Sequence, residues 1–375
     1  MRILLSGTPA FGHLLPFAAL ARAARAAGHE VALLTSGGMT GAVDPELPVL
    51  AAGPMADVLF AEVAARTGGG NPSTDPKPET VAEFFAGTRV DLSIDEALTV
   101  AEPWRPDLIV AEACDFVGPL VAAALGVPCG LLAFGPAVPD EFVRPMFALV
   151  ASRYAERGLT PVPPAVFLDP CPPSLQVPGW QAPPNRIALR PEPHHVEGLS
   201  WTVPEFPGRA DRPLVLVTLG TVFSEFDVLQ QILASIKDLD VNVIATLGPL
   251  ADTDAVDVDP SWVRTVGFVP LDQLLTPATA VVCSGGAGTV LATLSRGLPM
   301  VIMPQGADQF INAGRAEASG AAAVVPAPDQ VGVALAKVLG ENNFRDRAEV
   351  LAEEIADLEP AARVVARLAE QFGRD

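Results

Sequence analysis

A stretch crowded with prolines divides this chain into two blocks in which strand-like and helix-like segments alternate. Between Pro161 and Pro213 there are 14 prolines in 53 residues, and each proline fixes φ and lacks a backbone donor. We therefore expect loops and an interdomain linker here, without regular helix or sheet. Because the chain has 375 residues, each block is long enough to form a domain with its own core.

The block before the prolines alternates short apolar runs with helix-forming segments. Arg2–Ser6 and Val31–Thr35 are typical of buried parallel strands, and Pro16–Ala27 between them consists of strong helix formers and stops before Gly28. Further elements are expected at 107–111 (strand), 118–125 (helix) and 128–133 (strand). Such β-α-β units predict a parallel sheet with helices on its faces.

The block after the prolines repeats this alternation. The expected elements are strands at 213–219, 241–246, 263–267, 280–283 and 300–303, with helices at 227–237 and 290–295. A charged helical segment interrupted at Pro360 ends the chain. We therefore predict a first domain at 1–200, a linker at 201–212, a second domain at 213–355, and a terminal helix at 356–375 that is able to pack back on the first domain.

Composition excludes several classes of function. Half of the residues are apolar, and 24 Lys and Arg stand against 44 Asp and Glu, a net charge of −20 that repels nucleic acid and anionic lipid. The four cysteines form neither a CxxC pair nor a disulfide framework. The first apolar run is too short for a signal peptide, and no stretch reaches about 20 apolar residues. We expect a cytoplasmic protein that has no stable membrane insertion.

The loop after the first strand carries a histidine. Gly7 and Gly12 have the spacing of a phosphate-binding loop, but His13 and Leu14 follow where that motif needs Lys and Ser or Thr. A nucleoside triphosphatase is therefore disfavoured. An imidazole at a strand-to-helix junction suits a general base, and a purely structural histidine is equally compatible with the position. The weaker candidates are His29, His194 and His195.

Two glycine-containing loops follow strands of the second block. Thr218–Thr221 can donate hydrogen bonds to phosphate oxygens, and it is equally an ordinary tight turn. Cys283–Thr289 opens a helix, so its glycines would admit a diphosphate to the helix N-terminus. Leu291 breaks the GxGxxG pattern, which removes the main support for a nicotinamide-dependent dehydrogenase.

Acidic residues occur in two further loops. Asp308 and Gln309 follow the strand at 300–303 and suit vicinal sugar hydroxyls, whereas a helix N-cap by Asp308 is the alternative. Ala251–Asp259 contains two DxD patterns, but in so acidic a chain we interpret them as a solvated loop and assign no metal.

Taken together, these motifs resemble bacterial natural-product glycosyltransferases of the GT-B fold, relatives of the plant UDP-glycosyltransferases. The resemblance spans essentially the whole chain and rests on Gly12, His13, Pro16, AAGHEV at 26–31, TLGT at 218–221, GFVP at 267–270, GGAGT at 285–289, Gly297, Pro299 and PQGADQFxNAxR at 304–315. It implies an α/β protein with two facing Rossmann-like parallel-sheet domains and an interdomain cleft. The first domain would bind the acceptor and the second the nucleotide sugar.

The resemblance also implies roles in proton transfer. The family's base histidine matches His13, and its acidic partner falls within 111–115, where Glu112 is favoured and Asp115 is the alternative. A carboxylate on the second ring nitrogen would fix the imidazole tautomer and stabilise the imidazolium that forms when the base takes up a proton.

The nucleotide-sugar contacts follow from the same resemblance. Phe268 matches the aromatic platform for the base, with Val269 beside it, and Asp308 and Gln309 match the sugar-hydroxyl pair. The diphosphate contacts match Ser284, Gly285, Gly286, Ala287, Gly288 and Thr289, helped by Thr221.

Two positions depart from the relatives. Ser284 stands where the family usually has a histidine that donates to the diphosphate. Ala292 stands where UDP-sugar enzymes carry a glutamate that binds the ribose hydroxyls. Without that carboxylate a 2'-hydroxyl gains nothing, so we expect dTDP-sugars to be preferred over UDP-sugars.

We therefore predict an inverting, metal-independent glycosyltransferase that needs no cofactor and moves a sugar, such as a deoxysugar, from a dTDP-sugar to a hydroxyl of a hydrophobic natural product. The acceptor-lining candidates are Phe84, Phe85, Phe134 and Phe142. A catalytically silent or accessory module that binds a sugar nucleotide, and an epimerase of the same fold, are the alternatives. The sequence is compatible with a homodimer and does not decide the oligomeric state.

Overall fold

The chain divides into two compact units, each built from more than one segment. The computed structural model describes residues 1–196, 198–220, 226–248 and 258–373. Unit 1 comprises Met1–Cys171, Pro178–Arg190 and Leu358–Asp375, and unit 2 comprises Pro172–Val177 and Pro191–Asp357. The chain thus first enters unit 2 at Pro172–Val177 and enters it again at Pro191, ten residues before the predicted linker begins. It returns to unit 1 at Leu358, close to the predicted terminal helix.

A parallel sheet forms the centre of unit 1. Its strands are β1 (Arg2–Ser6), β2 (Glu30–Thr35), β3 (Val49–Ala51), β4 (Leu108–Glu112), β5 (Cys129–Leu132), β6 (Val166–Asp169) and β7 (Arg186–Ala188). In the described part of the chain their order is β3-β2-β1-β4-β5-β6-β7. The central strands are buried on both faces, which explains their near-continuous apolar sequences.

The last two of these strands correct the expectation for the proline-rich stretch. β6 and β7 both lie within 161–213, where no regular sheet was predicted, and β6 pairs with β5 and with β7. The prediction was wrong because the prolines are clustered: residues 165–169 and 185–190 contain none, and those gaps are long enough for a short strand.

Helices cover the sheet of unit 1. They are α1 (Phe11–Leu14), α2 (Ala18–Ala26), α3 (Ala56–Thr67), α4 (Pro78–Ala82), α5 (Arg89–Trp104), α6 (Val117–Leu125) and α7 (Asp140–Glu156), with a π-helical turn at Glu83–Thr88 between α4 and α5. Gly28, which follows α2, has φ of +82°, as expected where a glycine ends a helix.

Unit 2 has a second parallel sheet. Its strands are β8 (Leu214–Thr218), β9 (Asn242–Thr246), β10 (Val263–Val266), β11 (Ala280–Cys283), β12 (Met300–Ile302) and β13 (Ala322–Val324), in the order β10-β9-β8-β11-β12-β13. The helices around it are α8 (Phe226–Ile236), α9 (Leu271–Leu275), α10 (Ala287–Leu294), α11 (Gln309–Ser319), α12 (Val331–Gly340) and α13 (Asn342–Ala356). The loops at the carboxyl ends of β8, β11 and β12 therefore share one edge of the sheet.

The terminal helix α14 (Ala361–Phe372) belongs to unit 1. Val364, Val365 and Leu368 are fully buried in the same hydrophobic core as α2. Their spacing of one, three and four residues places them on one helical face, and burying that face fixes the helix against unit 1.

Candidate active site

The residues around His13 come together at the carboxyl edge of the first sheet. β1 ends at Ser6 and the short helix α1 presents His13, while the neighbouring parallel strand β4 ends at Glu112. His13 Nδ1 lies 3.1 Å from Glu112 Oε1. A carboxylate that accepts from Nδ1–H leaves Nε2 as the ring nitrogen able to take up a proton.

Glu112 is buried and held by several donors. The Thr8 hydroxyl donates to Oε1 at 2.8 Å and the Thr8 N–H at 3.3 Å, and the Cys114 N–H donates to Oε2 at 2.6 Å. Burial alone would raise the pKa of Glu112, but the charge and hydrogen bond of His13, together with these donors, lower it. The carboxyl group is thus an anion that can orient the imidazole and stabilise its protonated form.

Two of the four predicted acceptor-lining phenylalanines lie against His13. The ring centroids of Phe85 and Phe134 are each 5.4 Å from that of the imidazole, in tilted and edge-on arrangements. Phe142 is half-buried on α7. The side chain of His13 is 22% exposed, so an acceptor that reaches it must pass apolar rings.

Phe84 does not line this region. It is 4% exposed and stacks on Phe60 at 4.8 Å in a small core cluster with Leu59 and Val63. Its assignment to the acceptor pocket was therefore wrong. Adjacent residues on a helix point in different directions, so Phe85 faces the imidazole while Phe84 fills the core.

Asp115 is not the partner of His13 in this structure. Its Oδ1 accepts from Arg89 Nη2 at 2.8 Å in a fully buried ion pair, and its Oδ2 accepts from the Ser6 hydroxyl and, at 3.0 Å, from the Gly118 N–H. These contacts use both carboxylate oxygens. Of the two acidic candidates, only Glu112 is in contact with the imidazole.

The glycine-rich loop after β11 opens helix α10. Gly285 has φ of +89°, and a Cβ there would lie 2.8 Å from the side chain of Ile302, so only glycine fits. At Gly286 and Gly288 a Cβ would meet nothing within 4 Å, which leaves open space beside the helix N-terminus. Ala287 is buried and Thr289 is half-buried. The helix N-terminus provides a partial positive charge and unpaired N–H groups for an anion.

Ser284 is buried and hydrogen-bonded within the protein. It is 3% exposed, and its hydroxyl donates to the Leu219 carbonyl at 3.1 Å, which joins the loops after β11 and β8. Thr221, which was predicted to assist in diphosphate binding, lies outside the described residues, as do 251–257 of the acidic segment. Burial raises the pKa of the preceding Cys283 to about 12, so no thiolate stands beside the loop.

Asp308 and Gln309 are brought close to the same loop. Gln309 Oε1 accepts from the N–H groups of Gln305 and Gly306 at 2.8 and 3.2 Å, which leaves only its amide nitrogen for a sugar. Asn312 Nδ2 donates both to Asp308 Oδ2 and to the Gly285 carbonyl, each at 2.9 Å. The two loops that would hold diphosphate and sugar are therefore joined by one buried amide.

Phe268 is exposed after β10, as a stacking platform requires. It is 45% exposed, its ring centroid lies 5.7 Å from that of His194, and the neighbouring Val269 is half-buried. Ala292 is 3% exposed within α10. Its methyl group therefore packs inside the protein, and this burial does not test the predicted preference between ribose and deoxyribose.

Three residues of these networks were missed by sequence reasoning: Thr8, Arg89 and Asn312. Thr8 and Asn312 lie within the motifs that drew attention to their neighbours, so spacing was a usable signal. No such signal marked Arg89, because it lies 82 residues from the loop that it contacts and an arginine in a helical segment ordinarily faces solvent.

The described part of the chain contains no group of three or more His, Cys, Asp or Glu side chains arranged to hold a metal ion. No helix in the same ranges has both the length and the apolar character needed to cross a membrane.

Two parallel-sheet units, a histidine–carboxylate pair and a glycine-rich helix start define the class of GT-B glycosyltransferases, and comparisons with known proteins agree. Family models described as "Erythromycin biosynthesis protein CIII-like" match residues 22–186 (N-terminal domain) and 230–371 (C-terminal domain). Elloramycin glycosyltransferase ElmGT of Streptomyces olivaceus is 32% identical over 391 residues, covering 100% of this chain and 98% of the relative.

Solved structures agree as well. The glycosyltransferase SsfS6 of Streptomyces sp. SF2575, complexed with thymidine diphosphate, is 29% identical with a TM-score of 0.82 and 99% of both chains covered. Spinosyn rhamnosyltransferase SpnG, complexed with spinosyn aglycone, is 26% identical with a TM-score of 0.79, covering 98% of this chain and 100% of that one. The chain belongs to the erythromycin biosynthesis protein CIII-like family, and it is a natural-product glycosyltransferase of the GT-B fold.

Proposed function

We propose that this enzyme transfers a sugar, with inversion at the anomeric carbon, from a dTDP-sugar to a hydroxyl group of an apolar natural-product aglycone. His13 Nε2 takes the acceptor proton while the acceptor oxygen attacks the anomeric carbon and the bond from that carbon to the diphosphate oxygen breaks. The observation that carries this proposal is the contact of His13 with the buried anion of Glu112 at 3.1 Å.

Unit 2 supplies the donor site in this proposal. The open space at Gly286 and Gly288 beside the start of α10 suits a diphosphate, with Thr289 as a further donor. Asp308 would accept hydrogen bonds from the sugar hydroxyls, and Phe268 would stack on the base. The choice of thymidine is supported by the relatives SsfS6 and SpnG, whose structures were solved with thymidine diphosphate.

Unit 1 supplies the acceptor site. Phe85 and Phe134 flank the base on two sides, so an aglycone that presents its hydroxyl to His13 lies against apolar rings. ElmGT and SpnG, named for elloramycin and spinosyn, support a bulky natural-product acceptor.

Mass spectrometry of the protein incubated with matched dTDP- and UDP-sugars and a panel of polyketide-type aglycones tests the proposal. We expect a product heavier than the aglycone by one sugar residue, formed faster from the dTDP donor and also in the presence of EDTA. NMR coupling at the anomeric carbon should show inversion. Binding of dTDP with no transfer to any aglycone, or isomerisation of the sugar nucleotide at unchanged mass, would contradict it.

A further inference from the structure

A fully buried arginine, Arg89, binds the peptide group whose N–H donates to Glu112. Arg89 is 1% exposed at the start of α5, directly after the π-helical turn that also carries Phe85. A single nitrogen, Nη2, donates to the Gly7 carbonyl and to Asp115 Oδ1, each at 2.8 Å. The guanidinium thus joins the end of β1 to the segment that precedes α6.

The Gly7 carbonyl belongs to the same peptide group as the Thr8 N–H. Arg89 binds the oxygen at one edge of this planar group, and the N–H of Thr8, which points in the opposite direction within the plane, donates to Glu112 Oε1 at 3.3 Å. A cation on the carbonyl polarises the peptide group and strengthens the opposite N–H as a donor. Arg89 therefore acts on Glu112 without touching it.

The orientation of this peptide group needs such a restraint. A Cβ on Gly7 would lie 2.7 Å from Leu14 and 3.4 Å from Glu112, so close packing requires glycine there. Glycine also lets the backbone rotate more freely than any other residue. Rotation of the peptide by half a turn would direct the Gly7 oxygen, instead of the Thr8 N–H, towards the carboxylate.

We propose that Arg89 is a positioning residue for the glycosyl-transfer reaction: it fixes the Gly7–Thr8 peptide group so that the Thr8 N–H faces Glu112, and Glu112 then holds His13 in the tautomer that accepts the acceptor proton. This inference rests on the proposed role of His13 as the base. Asp115 and Ser6 support this role. Asp115 accepts hydrogen bonds from the Arg89 guanidinium and from the Ser6 hydroxyl, and so holds the guanidinium at the end of β1.

Three substitutions separate this role from a structural one. Arg89→Met removes both hydrogen bonds, whereas Arg89→Lys keeps a cation that can donate to both acceptors from one nitrogen, as Nη2 does. Arg89→Met with Asp115→Asn leaves no unpaired buried charge and serves if the single variant does not fold. The matched control is Arg186→Met, which breaks another ion pair of unit 1, between Arg186 and the fully buried Asp169 at 2.7 Å.

The first readout is the nitrogen-15 NMR spectrum of the histidine rings, which distinguishes the two tautomers. The chain has four histidines, so the signals of His13 are assigned by their loss in His13→Ala. We expect one tautomer, protonated on Nδ1, in the wild-type protein, in Arg89→Lys and in Arg186→Met. A mixture of tautomers is expected in Arg89→Met or in the double variant.

The second readout is steady-state kinetics with the donor and aglycone identified by the mass-spectrometric screen. In Arg89→Met or the double variant, kcat should fall about 10- to 100-fold with the KM for the dTDP-sugar unchanged, and Arg89→Lys should recover most of that loss. A folded variant lacking Arg89 that keeps both the wild-type tautomer and the wild-type kcat would overturn the proposal. Full activity of His13→Ala would instead overturn the base assignment, so the two failures are distinguishable.

Discussion

The two candidate substrate sites of this enzyme are held together by opposite kinds of chemistry. In unit 1 the site contains buried charges. They are the Glu112 carboxylate, which contacts His13, and the Arg89–Asp115 ion pair, whose arginine binds the Gly7 carbonyl. In unit 2 the loops that would hold the donor are joined mainly by neutral groups: the Ser284 hydroxyl on a backbone carbonyl and the Asn312 amide between two loops.

The difference follows from what each site must bind. A base that takes up a proton becomes a cation, so a buried carboxylate beside it is favourable and must itself be fixed by donors. A diphosphate is already an anion, so a carboxylate or thiolate within the loop at 284–289 would repel it, and the carboxylate proposed for this site, Asp308, is assigned to the sugar hydroxyls instead. Glycine, serine and amide side chains leave the positive end of α10 as the main electrostatic feature of the second site.

The strongest test of the comparison is removal of the base. His13→Ala should lower kcat by about 10² to 10⁴ because general-base catalysis contributes on that order. The affinity for dTDP, measured by calorimetry, should stay the same because the proposed nucleotide contacts lie in unit 2.

His29→Ala is the matched control for His13→Ala. His29 follows α2, and its Nδ1 lies 3.2 Å from the chain's amino terminus, so its loss should leave kcat unchanged. Equal kcat values for all three proteins would refute the assignment of His13.

The second test uses the pH dependence of the buried carboxylate. Because the folded-state pKa of Glu112 is lowered from its ordinary value of 4.5, the anion stabilises the fold at every pH above that value, and this contribution is lost as the pH falls through the lowered folded-state pKa. Glu112→Gln should therefore reduce the free energy of unfolding of unit 1 by about 1.5 to 3 kcal/mol at pH 7.

Urea titrations of wild type and Glu112→Gln at several pH values measure that difference. It should shrink as the pH falls below 4.5, where the carboxylate begins to take up a proton. Glu30→Gln, at an exposed ion pair with Arg2, should show little difference at any pH. A difference that grows as the pH falls below 4.5 would contradict the sign of the pKa shift.

Sequence reasoning predicted both candidate sites, but it did not predict the contacts that hold their residues in place. His13 and the glycines of 285–288 follow predicted strands, and the parallel-sheet rule places such loops at one edge. Glu112 was favoured over Asp115 on the family resemblance alone, because Glu112 ends β4, Asp115 lies three residues further on, and only the path of the chain after the strand shows which carboxylate meets the imidazole. Arg89 was not recognisable at all, since the partners that keep it buried lie far away in sequence.

The third test breaks the neutral connection in unit 2. Asn312→Ala removes the hydrogen bonds to Gly285 and to Asp308, so the loop proposed to bind the diphosphate and the carboxylate proposed to bind the sugar are no longer fixed to each other. The affinity for a dTDP-sugar should fall about tenfold, or about 1.4 kcal/mol, and the affinity for dTDP alone should fall less.

Asn242→Ala provides a matched control for that test. Asn242 is also 3% exposed and doubly bonded, to Arg209, but it lies at the start of β9, the opposite end of the strand from the donor loops. Asn242→Ala should lower the free energy of unfolding by an amount similar to that of Asn312→Ala, without changing the affinity for the dTDP-sugar or for dTDP. Equal losses of affinity in both variants would indicate a general loosening of unit 2 and remove the special role of Asn312.

The smallest expected effect concerns Ser284, where the relatives usually have a histidine. Its hydroxyl donates to the Leu219 carbonyl, so Ser284→Ala should cost one neutral hydrogen bond, about 0.5 to 1.5 kcal/mol of stability, and change dTDP affinity by less than about threefold. Ser295→Ala, which removes a hydroxyl bonded to the Ala292 carbonyl near the other end of α10, is the control in thermal unfolding and calorimetry. A loss of dTDP affinity of about 100-fold in Ser284→Ala alone would show that this hydroxyl binds the diphosphate directly, and unit 2 would then depend on a specific side-chain donor as unit 1 depends on its buried charges.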